Sequence, residues 1–126
     1  SRMKSYTQSI LVDKNHTASS LGSGSLEVLG TPAMVAFMEN TAVNVIDDLG
    51  EGMTTVGTSI NVKHLKASKI GEKMTCTAML IHQEGRRYVF EITVVDSSGE
   101  LTGTATHERV AVYVELFLRK LYGSED

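Results

Sequence analysis

Three side chains in this sequence stand where the local pattern asks for something apolar or merely structural. They are the hydroxyl of Thr31 at the head of a proline-initiated helix, the carboxylate of Glu39 inside that helix, and the imidazole of His64 at the end of a β-patterned run. A hydroxyl, an acid and an imidazole are the parts of an acyl-transfer site. An acyl carbonyl is attacked either by a carboxylate, giving a mixed anhydride, or by water that a base has polarised, and donors at a helix N-terminus suit the developing oxyanion. The Thr31 hydroxyl is expected to orient the carbonyl or donate to the developing charge, with free N–H groups after Pro32 close by. Glu39 lies two turns along the same helix, where apolar surroundings raise a carboxylate's pKa and a nearby imidazole lowers it again. His64 is then the general base, or the donor that aims Glu39.

Each residue also has a plainer reading. Thr31 before a proline can be only a helix N-cap. A single glutamate in an apolar helix can pair with a structural cation or face a partner subunit. His64 on an apolar face can be a satisfied core histidine.

The elements that must position these groups follow from periodicity. Residues 4–13 read as a first strand whose partner is not legible. Residues 15–30, rich in Ser, Gly and Thr, read as a loop with one helical turn at most. Thr31 is expected as N-cap and Pro32 as the first helical residue. The helix is expected to run to Leu49, with Gly50 just past its end. It is apolar on nearly all sides in its first turns, so it should be enclosed by other structure. After Gly52 the period becomes two: Val56, Thr58, Ile60, Val62 and His64 share one face, and Gly57, Ser59, Asn61 and Lys63 the other. Residues 73–83, 86–96 and 101–113 are further strand runs, parted by turns at Glu84-Gly85 and Ser97-Ser98-Gly99. These four segments are expected to form an antiparallel meander. Residues 114–122 fit a helix or an extension of the last strand.

One long central helix followed by strands predicts an α+β chain in which a curved antiparallel sheet wraps the helix, the hot-dog architecture. The edge strand and the helix flank still need cover, so a homodimer or higher homo-oligomer is expected.

Composition narrows the partners. The 126 residues fit one domain, 1–126, burying roughly two-thirds of the unfolded chain's surface. Ser1-Arg2 ahead of Met3 reads as a cloning remnant and the stretch 123–126 as a frayed end. Twelve Lys and Arg against fifteen Asp and Glu, with no basic run, argue against nucleic acid as a partner. There is one cysteine and no N-terminal apolar run of signal or membrane-spanning length, so no membrane association and a reducing cytoplasmic setting are expected. Cys76 reads as a small buried hydrophobe. The spacing of His16, His82 and His107 predicts no metal site.

Several ordered motifs together resemble one family. They are Gly22-Ser-Gly-Ser-Leu-Glu-Val-Leu-Gly-Thr-Pro-Ala-Met34, Met38-Glu39 in the helix, Thr54-Thr-Val-Gly-Thr-Ser-Ile-Asn-Val-Lys-His64, Glu84-Gly-Arg-Arg87 and Gly103-Thr-Ala-Thr-His-Glu-Arg109. Over about residues 5–118 the chain is similar to the fluoroacetyl-CoA thioesterase-like hot-dog proteins. That resemblance implies an acyl-CoA thioesterase with Thr31, Glu39 and His64 as its hydrolytic residues. It also implies that Gly57, seven positions before His64, lies close to the acyl group. Met34 and Met38 are expected as core filling or as lining of an acyl pocket, and Arg109 as a group near the CoA phosphates or at a solvated strand end. Lys63, Lys66 and Lys69 are alternative phosphate partners. No cofactor is expected, since coenzyme A belongs to the substrate. Nothing in the chain reads as a fluorine-selecting feature, so the expected acyl group is not fluoroacetyl. The competing reading is a hot-dog protein that binds acyl-CoA or another hydrophobic ligand without turnover, with a hot-dog dehydratase more distant.

Overall fold

The computed structural model describes residues 4–123; the readings of the first three and last three residues lie outside them. Strand β1 (Ser5–Leu11) leads through a 3-10 turn (Lys14–His16) and a short helix α1 (Ala18–Leu21) to the helix α2 (Thr31–Val43). Then come β2 (Met53–His64), β3 (Lys73–Glu84), β4 (Arg87–Val95), β5 (Leu101–Tyr113) and a closing helix α3 (Val114–Tyr122). The stretch expected as a loop thus holds more structure, because Thr17 caps α1 by accepting from Ser20 N and Gly22 closes it at a φ of 72°.

The five strands form one antiparallel sheet in the order β1-β3-β4-β5-β2. This corrects the simple meander. Strands β3, β4 and β5 do follow one another through short turns, but β2 crosses to the far side and pairs with β5. The reason lies in the connections. Gly85 and Gly99, at φ of 60° and 81°, close tight turns, whereas residues 65–72 between β2 and β3 are long enough to carry the chain across the sheet. The unread partner of β1 is β3, with Gln8 opposite Cys76.

The sheet curves around α2, and three register shifts help it bend, at Gly57/Ser59, Leu80/His82 and Val94/Val95. The concave face holds the core: Met74, Cys76 and Ala78 from β3, Phe90, Ile92 and Val94 from β4, packed on Met34, Phe37, Met38 and Ala42 from α2. The α2–β5 approach is so close that a Cβ on Gly103 would fall 2.5 Å from Met34 Sδ and 3.2 Å from Met38 Cε. Only glycine leaves that space.

Helix α2 departs from expectation at both ends. Gly30 is the N-cap and Thr31 the first helical residue. The helix stops at Val43, well before Leu49, because the Asn44 side chain donates to Asn40 O while Val45 N and Ile46 N tighten onto the carbonyls of Ala42 and Val43. The apolar residues beyond Val43 reflect packing, as Val45 is 5 % exposed in the core cluster. Nor does the rest of the chain enclose the helix, since Pro32, Ala36, Asn40 and Val43 are exposed. At the C-terminus, residues 114–122 are helical, which settles the choice left open by their pattern.

Candidate active site

The N-terminal turn of α2 and the end of β2 bring Thr31 and His64 together. Thr31 Oγ1 lies 2.8 Å from His64 Nδ1. Because Gly30 and not Thr31 caps the helix, the hydroxyl makes no capping bond and faces the imidazole instead. Burial pushes the His64 pKa below the ordinary imidazole value, and the Lys66 backbone only partly opposes it, so the ring is neutral at pH 7. Its Nε2 is buried and has no hydrogen-bond partner among the described residues. Two tautomers fit: the hydroxyl donates to Nδ1 and Nε2 carries the proton, or Nδ1 donates and Nε2 offers a lone pair. The pair lines a cleft of about 350 Å³ with Gly30, Leu65, Lys66 and Ala67. The expected free N–H groups are not free, since Ala33 N and Met34 N both donate to Gly30 O.

Glu39 stands elsewhere. Eight residues along an α-helix rise about 12 Å, too far for Thr31 and Glu39 of one chain to reach the same carbonyl. No hydrogen bond or ion pair among the described residues joins Glu39 to Thr31 or His64. Its Oε2 is 3.5 Å from Arg109 Nη1 and 3.9 Å from His107 Nε2, and its side chain is 38 % exposed. The apolar company expected from sequence is replaced by a cation and an imidazole.

Gly57 belongs to this second cluster. A Cβ there would lie 2.8 Å from Glu39 Oε2 and 3.3 Å from Arg109 Nη1, so a side chain is excluded while the carboxylate keeps this position. The sequence reading put Gly57 and His64 on opposite faces of β2. Pairing with β5 shows otherwise: Thr55, Gly57, Ile60, Val62 and His64 stand opposite Ala111, Arg109, His107, Ala105 and Gly103, which alternate on one face. The bulge after Gly57 inserts one residue and flips the later alternation, so seven positions still return to the same side.

The remaining expected binding residues lie as follows. Met34 and Met38 have no exposed surface and fill the core beneath Gly103. Arg109 is 8 % exposed and faces Glu39 from inside the molecule. His107 is 2 % exposed and part of the Glu39 cluster. The signal was present in sequence: Ala105, His107, Arg109 and Ala111 alternate, so two polar groups share a face with two small apolar ones. Thr55 was missed, for its role depends on pairing across to β5. The lysines expected near phosphates are rim groups, and Lys66 is held by Asp96 and Glu100, which raise its pKa.

A curved antiparallel sheet wrapped around one helix is the hot-dog architecture, and the similarities that follow make this chain a thioester hydrolase of that fold. A family profile described as FlK, fluoroacetyl-CoA-specific thioesterase, matches residues 12–115. The fluoroacetyl-CoA thioesterase of Streptantibioticus cattleyicolor is 36% identical over 96 residues, 75% of this chain and 68% of that protein. A variant of FlK solved in complex with fluoroacetate and CoA superposes with a TM-score of 0.85 at 30% identity, covering 93% of this chain and 99% of the other. A hot-dog-like protein from Thermanaerovibrio acidaminovorans gives 0.86 at 25% identity, covering 98% and 93%. The chain belongs to the fluoroacetyl-CoA-specific thioesterase family. No helix among its described residues is long and apolar enough to cross a membrane.

Proposed function

We propose that the protein hydrolyses a small acyl-CoA thioester to the free acid and coenzyme A, at a site assembled from two copies of the chain. The observation that carries this reading is the 2.8 Å contact between Thr31 Oγ1 and His64 Nδ1 on the same sheet face as Gly57 and Glu39, beside a free strand edge. Strand β2 ends the sheet, and the outer face of α2 leaves Pro32, Ala36 and Val43 exposed. A two-fold antiparallel pairing of β2 with its copy, centred between Ile60 and Asn61, sets Gly57 opposite the partner subunit's His64. Glu39 then meets the partner's Thr31, and one dimer carries two equivalent sites.

In such a site Thr31 orients the thioester carbonyl. Glu39 either attacks the carbonyl carbon directly, giving a mixed anhydride that water then hydrolyses to the free acid and the Glu39 carboxylate, or takes a proton from an attacking water; in both routes the proton released by water ends on the departing thiolate. The carbonyl π electrons move onto oxygen, then return as the C–S bond breaks and its electron pair leaves on the CoA sulfur. Neutral His64 exchanges a proton with Thr31 as charge develops. Water is the co-substrate and the route draws on no further cofactor. The name of the curated relative supports a short acyl group. Fluoroacetyl, acetyl-sized and larger acyl groups all belong in the substrate panel. A reducing, cytoplasmic compartment fits the buried thiol of Cys76.

Complementation of dead variants tests the reading. Glu39→Ala and His64→Ala proteins, each inactive alone in a thiol-release assay over an acyl-CoA panel, should regain activity when unfolded together and refolded. Heterodimers make up half the mixture and hold one intact site each, so recovery should approach about a quarter of the wild-type rate. No thiol release by the wild-type protein on any panel member overturns hydrolysis, and tight binding of an acyl-CoA in that case identifies a binding protein. Single variants that stay inactive after mixing, while size exclusion shows a dimer, overturn the shared site.

A further inference from the structure

Arg109 is buried, charged and absent from the reaction as written above, which is unusual enough to require an account. Its guanidinium has three fixed anchors. Nε donates to Thr55 Oγ1 at 2.8 Å, Nη2 donates to Thr55 O at 2.9 Å, and Nη1 lies 3.2 Å from His107 Nε2. The chemistry of the partners fixes the state of His107. Ser59 O, 2.8 Å from Nδ1, can only accept, so Nδ1 carries a proton. Arg109 Nη1 can only donate, so Nε2 offers its lone pair and the ring is neutral. Burial first, then the charge of Arg109, hold the imidazole below its ordinary pKa, against the Ser59 carbonyl and Glu39. His107 therefore cannot give Glu39 a proton from Nε2 without losing its bond to Arg109.

These anchors leave one direction for the remaining donor capacity of Nη1, toward Glu39 Oε2 at 3.5 Å, with the Gly57 backbone beside it. We propose that Arg109, clamped by Thr55 and the neutral imidazole of His107, is a positioning residue that aims the Glu39 carboxylate past Gly57, and is not a ligand for the phosphates of coenzyme A. The inference deepens the thioesterase reading and rests on it. The clamp matters because Glu39 sits mid-helix on a flexible side chain that is partly exposed and has no other cation within 4 Å among the described residues. Without Arg109 the carboxylate turns toward solvent, and the reacting oxygen leaves the place where β2 makes room for it.

The test compares two thioesters of one acyl group, the acyl-CoA and the acyl-pantetheine that lacks the nucleotide phosphates. Arg109→Met should lower kcat on both by about thirtyfold or more, with KM for the acyl-CoA unchanged within about threefold, and Arg109→Lys should recover part of the loss. Should Arg109→Met fail to fold, Thr55→Val removes one anchor only and should lower kcat on both thioesters by roughly three- to tenfold. A rise in KM confined to the acyl-CoA, with acyl-pantetheine turnover intact, overturns the proposal in favour of phosphate binding. Unchanged kcat in these variants alongside an inactive Glu39→Ala overturns it too, and leaves the hydrolase reading standing. If the wild-type protein hydrolyses neither thioester, the hydrolase reading fails. The side-chain carboxyl 13C resonance of Glu39 at fixed pH then decides the clamp: displacement in Thr55→Val or Arg109→Met supports it, and an unmoved resonance overturns it.

Discussion

At the scale of single residues, the proposed site divides between a neutral pair and an acid beside a cation. Thr31 and His64 form the neutral pair, and removing either should act on kcat more than on substrate affinity. His64→Ala is expected to lower kcat by about a hundredfold or more with KM within a few-fold, read by thiol release under saturating substrate. The depressed pKa of His64 sets the sign of the pH dependence. The ring acts in its unprotonated form, so the kcat profile should rise with pH through a pKa below the imidazole reference value of about 6.5 and then level. An acid limb centred above 6.5 would contradict the burial-driven shift. Gly57 offers a geometric test. Gly57→Ala puts a methyl 2.8 Å from Glu39 Oε2, so the carboxylate must move, and kcat should fall roughly tenfold or more while the far-ultraviolet circular dichroism stays unchanged.

At the scale of elements, α2 and β5 are locked together by an absent side chain. Adding a Cβ at Gly103 requires Met34 to swing away from a fully buried position, and overpacking of this kind costs about 1–3 kcal/mol. Gly103→Ala should therefore lower Tm by several degrees, measured by calorimetry. The half-buried imidazole of His64 on β2 and the buried one of His107 on β5 affect stability as well. His64 and His107 both have folded pKa values below the unfolded one, so the unfolded state binds more protons between those values. The stabilisation is present above about pH 6.5 and is lost as pH falls through the folded pKa values, so urea midpoints should drop between pH 7 and pH 5. The bulge after Gly57 belongs to this scale too. One inserted residue returns His64 to the face of Glu39, and strict alternation predicts the opposite.

At the scale of the whole molecule, the Thr31–His64 pair and the Glu39–Arg109–His107 cluster do not meet within one chain, and the proposed site treats them as two halves. A second copy is the simplest way to close the β2 edge and to bring the halves together. Cys76 is buried, and desolvation pushes its thiol up to about 11, so alkylation by iodoacetamide at pH 8 should be negligible in the native protein and rapid in guanidinium chloride.

Much of this was legible in the order of residues. The alternation of β3, β4 and β5, the helix after Pro32, and the placement of Thr31, Glu39 and His64 on elements that pack together all follow from local pattern, because side-chain direction repeats every two or 3.6 residues. The crossing of β2 to pair with β5 did not, since pairing of distant strands depends on loop paths that carry no local periodicity. The early stop of α2 was hidden for a related reason: Val45 and Ile46 are apolar because they pack, and a buried loop and a buried helix look alike in composition. The buried Arg109 and its hold on Glu39 likewise became visible only when β5 lay beside β2. Residue types and spacing determined which chemistry this chain can carry, because reactivity resides in the groups themselves. Tertiary structure alone decided which groups meet, because the contacts that orient an acid join positions seventy residues apart.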